Sequence, residues 1–178
     1  MQFTIRRARA RDVRAVRGLV DANAGSGRLL GKDTVTLYED VQEFWVAERA
    51  SDGVIVGCGA LHVMWEDLAE IRTIAVAEGC HGYGVGHRIV DTLLATAREL
   101  GVHRVFVLTF ATGFFARHGF EEIAGTPVSP AVYAELLRSY DEGVAEFLDL
   151  DRVKPNTLGN SRMLRHLRED ERSSWPGR

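Results

Sequence analysis

The chain has 178 residues, 46% hydrophobic and 26% charged, the balance of a globular domain long enough to bury a sizeable core. A net charge of −3 and the lack of a basic stripe interleaved with aromatics argue against nucleic acid. No run approaches the roughly 18 apolar residues of a membrane span and the N-terminus lacks an apolar leader, so a cytoplasmic protein without a membrane partner is expected.

Residues 2–7 alternate and predict a short strand. Asp12 is placed to cap a helix over 13–22 with the apolar stripe Val13, Val16, Leu19 and Val20. The early arginines (Arg6, Arg7, Arg9, Arg11, Arg14, Arg17) read as a solvated face. A polar, glycine-containing loop at 24–33 leads to a short helix through Leu37 and Val41. Residues 44–48 form a strand, Asp52-Gly53 a hairpin turn, and 54–64 a long strand containing Gly57 and Gly59. Trp65-Glu66-Asp67 turns the chain into a strand over 69–76. A helix to Leu100 follows a glycine loop and is stopped by Gly101. Residues 104–109 have the composition of a buried strand, 112–118 of a helix, and Gly119-Phe120 turns into another short strand. Ser129-Pro130 opens a helix to about Tyr140, and the last strand is 160–167. Residues 1–167 thus form one domain, and 168–178 a polar, frayed tail. Cys58 and Cys80 make no disulfide framework. Together with six scattered histidines they offer no metal-ligand pair, so no metal is expected.

The most informative stretch is EIRTIAVAEGCHGYGVGHRIVDTLL, residues 70–94. A β-branched run ends in a glycine cluster, and an apolar-periodic helix starts at once. The first turn of a helix has backbone N–H groups without partners, and its dipole favours an anion. Glycines let a ligand come close to the backbone. The pattern is therefore a pyrophosphate holder. It is neither a Walker loop, for want of Gly-Lys-Ser/Thr, nor a dinucleotide fingerprint, whose third glycine would fall on His87.

The loop His81-Gly82-Tyr83-Gly84-Val85-Gly86 resembles the acetyl-CoA loop of the GNAT acetyltransferases, Q/R-x-x-G-x-G/A, with His81 in place of Gln or Arg. Other segments resemble the acetyltransferase domain of the N-acetylglutamate synthases. These are GRLLGKD (27–33), EFWVAE, EIRTIAV, FVLTFATGFFARHGF (106–120) and NSRML (160–164). The chain looks like a short, stand-alone form of that family. Such a form would be expected to lack the amino-acid-kinase domain, and Gly159 and Asn160 stand where an arginine usually precedes the serine. The resemblance implies an α/β GNAT fold. Its central sheet is mixed and mostly antiparallel, flanked by helices, with a splayed pair of strands, here 69–76 and 104–109, that admits the pantetheine arm.

It also implies acetyl-CoA as co-substrate and an amino acid, L-glutamate first and glutamine as rival, as acceptor. Backbone groups of Ile74, Ala75 and Val76 would pair with the pantetheine amides. The amides of Gly82, Tyr83, Gly84, Val85, Gly86 and His87 would take the pyrophosphate. Glu70 would be the general base, its pKa raised toward neutrality in a closed apolar site; the alternative is an exposed strand-end glutamate. Phe115 occupies the position of the superfamily's usual tyrosine acid, leaving Thr112 to protonate the thiolate or merely to cap a helix. Lys32, Arg72 and Ser161, with Arg162 behind them, are candidates for the substrate carboxylates; Arg72 has the planar fork for the task. Tyr83 and Phe115 read as packing residues. Other acceptors, such as an amine or a protein N-terminus, and a non-catalytic acyl-CoA-binding role remain open from sequence, and a homodimer is common in the superfamily.

Overall fold

The structure is a computed structural model and describes residues 1–24 and 33–167. Lys32, predicted as a substrate contact, and the predicted tail, 168–178, lie outside the described residues. The chain clusters into two units, residues 1–62 with 71–96, and residues 63–70 with 97 onward.

The first unit holds strand β1 (Phe3–Arg7), helix α1 (Val13–Ala24), helix α2 (Thr34–Glu39) and strand β2 (Phe44–Arg49). It also takes most of β3 (Ile55–Trp65), β4 (Leu68–Val76) and helix α3 (Val85–Glu99), which run on into the second unit. β1 pairs antiparallel with β2, and β2 antiparallel with β3. The stripe read from the sequence is the one buried: Val13, Val16, Leu19 and Val20 pack with Leu37, Phe44, Val46, Cys58, Ala60 and Ala75. Asp12 does not cap α1. It sits in a 3-10 turn, Ala10–Asp12, and its carboxylate accepts from the Arg9 amide at 2.8 Å.

The second unit holds β5 (Arg104–Thr109), α4 (Thr112–Ala116), β6 (Glu121–Glu122), α5 (Pro130–Leu136), α6 (Glu142–Phe147), α7 (Lys154–Thr157) and β7 (Ser161–His166). Its sheet order is β4-β5-β7-β6. β7 lies antiparallel to both β5 and β6, and β4 with β5 is the parallel pair. The core is Met64, Leu68, Phe106, Leu136, Val144, Phe147, Leu148 and Leu164. Ser129 caps α5 as its position before Pro130 suggests, with its Oγ accepting from the Val132 amide at 3.3 Å. That helix stops at Leu136, short of the predicted Tyr140. α6 and α7 were not predicted.

α3 ends as predicted. Gly101 adopts φ +77°, its amide donates to the Arg98 carbonyl, and the Val102 amide reaches back to Ala97. That pair of bonds is a Schellman motif, which satisfies carbonyls the helix leaves open. The predominantly antiparallel α/β sheet with flanking helices is the architecture expected from the sequence.

Candidate active site

The glycine loop folds as the sequence demands. After β4 the chain makes a 3-10 turn, Glu78–Cys80, and then passes through Gly82 at φ +80° and Gly84 at φ +79° into α3. A side chain is disfavoured at both positions, so the backbone stays open to a ligand. The first intrahelical bond here is from the Arg88 amide to the Gly84 carbonyl. The amides of Val85 and Gly86 precede it and belong to the first turn, whose donors have no i−4 carbonyl within the helix. His81, where the family has Gln or Arg, donates from Nε2 to the Val76 carbonyl at 3.1 Å and so ties the loop to the end of β4. Tyr83 is 55% exposed and does not pack, contrary to the expectation.

α3 sits close to β3 because β3 has no side chain at two positions. A Cβ on Gly57 would stand 2.7 Å from Val85 Cγ1, and one on Gly59 would stand 2.7 Å from Ile89 Cγ2, both on α3. In the sequence Gly57 is visible only as a member of a strand. It proves to set the seat of the helix N-terminus.

β4 supplies the second component. Its ladder with β5 covers Leu68 with Arg104, Ala69 with Val105 and Glu70 with Phe106, and ends there. β4 runs on through residues 71–76, and Ile74, Ala75 and Val76 form its last three positions before the glycine loop. Between Arg72 and Ile74 stands Thr73, a buried β-branched residue at φ +60°. That conformation costs of order 1–3 kcal/mol for such a residue and re-aims the chain locally.

Glu70 lies in the second unit and is 2% exposed, which removes the exposed strand-end reading. In the same unit Thr112 is half-buried at the start of α4, but it is not that helix's cap: Ala111 holds the cap position, and the Thr109 hydroxyl accepts from the Ala111 amide at 2.9 Å. Phe115 is buried and stacks edge-on to Phe114 and Phe120, a packing role as expected. Ser161 opens β7 opposite Thr109. Arg162 is taken up structurally. Its guanidinium donates to the Phe147 carbonyl, lies 5.6 Å from the Phe106 ring centre and is 3.9 Å from Asp149. Burial lowers its pKa, with Asp149 opposing.

Arg72 is in the first unit, its side chain 9% exposed. It does not stand alone, which sequence could not reveal. Its Nη2 donates to Glu43 Oε2 at 3.1 Å and lies 3.9 Å from Asp40. Glu43 Oε1 in turn is 2.6 Å from His62 Nδ1. Burial pushes the Glu43 carboxyl up, but the His62 hydrogen bond and the Arg72 charge outweigh it and hold it below its ordinary value.

Among the described residues no group of acidic, histidine or cysteine side chains could hold a metal, and no helix is long and apolar enough to cross a membrane. Cys58 and Cys80 are buried free thiols, and burial pushes Cys58 up to about 12. A helix N-terminus behind a glycine loop suits an anion such as the pyrophosphate of acetyl-CoA.

Comparison with known proteins agrees with this arrangement. The chain is 65% identical over 161 residues to an amino-acid acetyltransferase of Mycobacterium tuberculosis, covering 90% of this chain and 92% of that protein. A Mycobacterium tuberculosis protein solved in complex with CoA superposes with a TM-score of 0.90 at 63% identity, covering 93% of this chain and 99% of that one. The N-acetylglutamate synthase of Neisseria gonorrhoeae, complexed with coenzyme A and N-acetyl-glutamate, shares the fold at TM-score 0.73 and 24% identity. This chain covers 36% of that longer protein. The profile of the acetyltransferase (GNAT) family matches residues 26–120. With the family profile matching more than half of its residues and a relative similar over nearly its whole length, the chain belongs to the acetyltransferase (GNAT) family and is an acetyl-CoA-dependent acyltransferase.

Proposed function

We propose that the enzyme acetylates the α-amine of an amino acid, L-glutamate foremost, the first step of arginine biosynthesis, in the cytoplasm and without a metal. The observation that carries the amino-acid reading is the near-full-length similarity to an amino-acid acetyltransferase. The glutamate reading is supported by the synthase-like segments and by Arg72.

Acetyl-CoA supplies an activated thioester; the chain supplies positions and a proton acceptor. The amides from Gly82 to His87 bind the pyrophosphate, and the backbone of Ile74, Ala75 and Val76 aligns the pantetheine arm. Fixing the two reactants in this way converts a bimolecular step into a local one. Glu70 takes the proton from the substrate ammonium, directly or through a water, so that the amine lone pair can attack the thioester carbon. Thr112 donates or relays the proton that the departing thiolate takes up. Arg72, Lys32 and Ser161 hold the substrate's carboxylates.

Glutamine is the second reading, and one observation favours it: the Arg72 charge is already met by Glu43 and Asp40, which weakens its pull on a second anion. A turnover assay with acetyl-CoA, a thiol reagent and a panel of amino acids tests both. Glutamate should give the highest kcat/KM. A tenfold preference for glutamine would exchange the readings, and no turnover with any amino acid would remove both.

A further inference from the structure

We propose that Glu43 is a positioning residue of the amino-acid site. Its carboxylate, held by His62 on one oxygen and by Arg72 on the other, fixes the direction in which Arg72 presents its guanidinium to the incoming carboxylate. The inference rests on the reading above that Arg72 binds substrate.

Three elements of one unit meet here. Glu43 ends the 3-10 turn Val41–Glu43 that leads into β2, His62 is on β3 and Arg72 is on β4. The carboxylate is depressed and therefore ionised at neutral pH, so it can only accept. His62 must then carry its proton on Nδ1, and the 2.6 Å contact is a charge-assisted hydrogen bond. With Oε1 held by His62, Oε2 stays turned toward Arg72 Nη2. Asp40 approaches that same nitrogen, so both acids restrain one end of the guanidinium. A free arginine side chain has many rotamers to lose on binding. Restraining it before the substrate arrives removes part of that cost from binding. The side chains of Glu43 and His62 are 24% and 21% exposed, so the cluster borders solvent instead of lying in the core.

Glu43→Gln keeps the shape and removes the charge. It should raise KM for the best amino-acid substrate about 3- to 10-fold, because the guanidinium is no longer held in place before the substrate binds, a loss that outweighs the charge relieved. It should change kcat less than about twofold and leave the acetyl-CoA Kd, measured by titration, unchanged. In an Arg72→Lys background the same substitution should add less than about twofold, because the group it positions has gone. A second pair of variants avoids reliance on one folded mutant: His62→Ala should raise the amino-acid KM, while His62→Gln, whose amide can still donate to Oε1, should restore most of it. An unchanged KM in Glu43→Gln, or equal KM rises in the presence and absence of Arg72, overturns the proposal. The outcomes separate cleanly. If the wild type acetylates no amino acid, the functional reading falls and this inference with it. If Arg72→Lys raises KM but Glu43→Gln does not, this inference alone falls.

Discussion

At the scale of single residues, Glu70 is the proposed proton acceptor. Sequence reasoning selected it by its place in EIRTIAV but could not tell a buried carboxyl from an exposed one. Alternation fails as a guide because Leu68, Ala69, Glu70 and Ile71 are all buried, as they are in a central strand covered on both faces. If Glu70 accepts the amine proton, Glu70→Gln should lower kcat by about 10²–10⁴-fold, with the acetyl-CoA Kd unchanged. Steady-state rates and a cofactor titration on the same variant check this, and retention of most of kcat would reduce Glu70 to a positioning residue. Arg72 shows the opposite limit of legibility. Its residue type was readable, but its partners Asp40 and Glu43 lie about thirty residues away in sequence, and no local pattern announces such a pairing. The left-handed Thr73 was also illegible, since a β-branched residue is the last that local preference would place there.

At the scale of elements, the start of α3 was the most legible feature, because strand, glycines and helix each have a local physical cause. What sequence did not give was the depth at which the helix sits, which depends on Gly57 and Gly59 of β3. A methyl on Gly57 meets Val85, whose branched side chain has little freedom to yield at χ1. The methyl on Gly59 meets the flexible end of Ile74 and the branch methyl of Ile89, one turn further into α3 and away from the glycine loop. Gly57→Ala should therefore move the first turn of α3 and raise the acetyl-CoA KM about threefold or more, some 0.7 kcal/mol. Gly59→Ala should act mainly on stability. Titration with CoA and thermal melts of both variants distinguish them, and equal effects on Kd would show that the helix seat is not set at Gly57. The missed helices have a plain reason. α6 is six residues long, too short for a periodic signal, although Asp141 caps it with its carboxylate on the Val144 amide at 3.0 Å.

At the scale of the whole molecule, stability against acid turns on charges first taken for a solvated face. Arg6 belongs to β1 and is not on that face. It donates to Asp12 at 2.7 Å and to Glu48 at 2.7 Å, joining β1, the turn before α1, and β2. Its hydrogen bonds hold the Asp12 carboxyl below the usual carboxylate range, against the opposing effect of burial, with the Arg9 amide adding to the depression. A depressed carboxyl stabilises the fold above its unfolded pKa of about 3.9, and that contribution is lost as the pH falls through the lower, folded value. Asp12→Asn keeps the shape and an oxygen for the Arg9 amide but removes the charge. At pH 7 it should cost about 1–3 kcal/mol, which for a chain of this size lowers Tm by roughly 2–4 °C per kcal/mol. As the pH falls through the lowered folded value the wild-type Asp12 protonates as well, so the gap in Tm between the two proteins should narrow. Other depressed carboxyls, Glu43 among them, weaken both proteins alike in acid and drop out of the difference. Melting curves of wild type and Asp12→Asn at pH 7, 4 and 2.5 measure it. A gap that stays constant across the series would mean that Asp12 acts through shape and neutral hydrogen bonds and not through its pairing with Arg6.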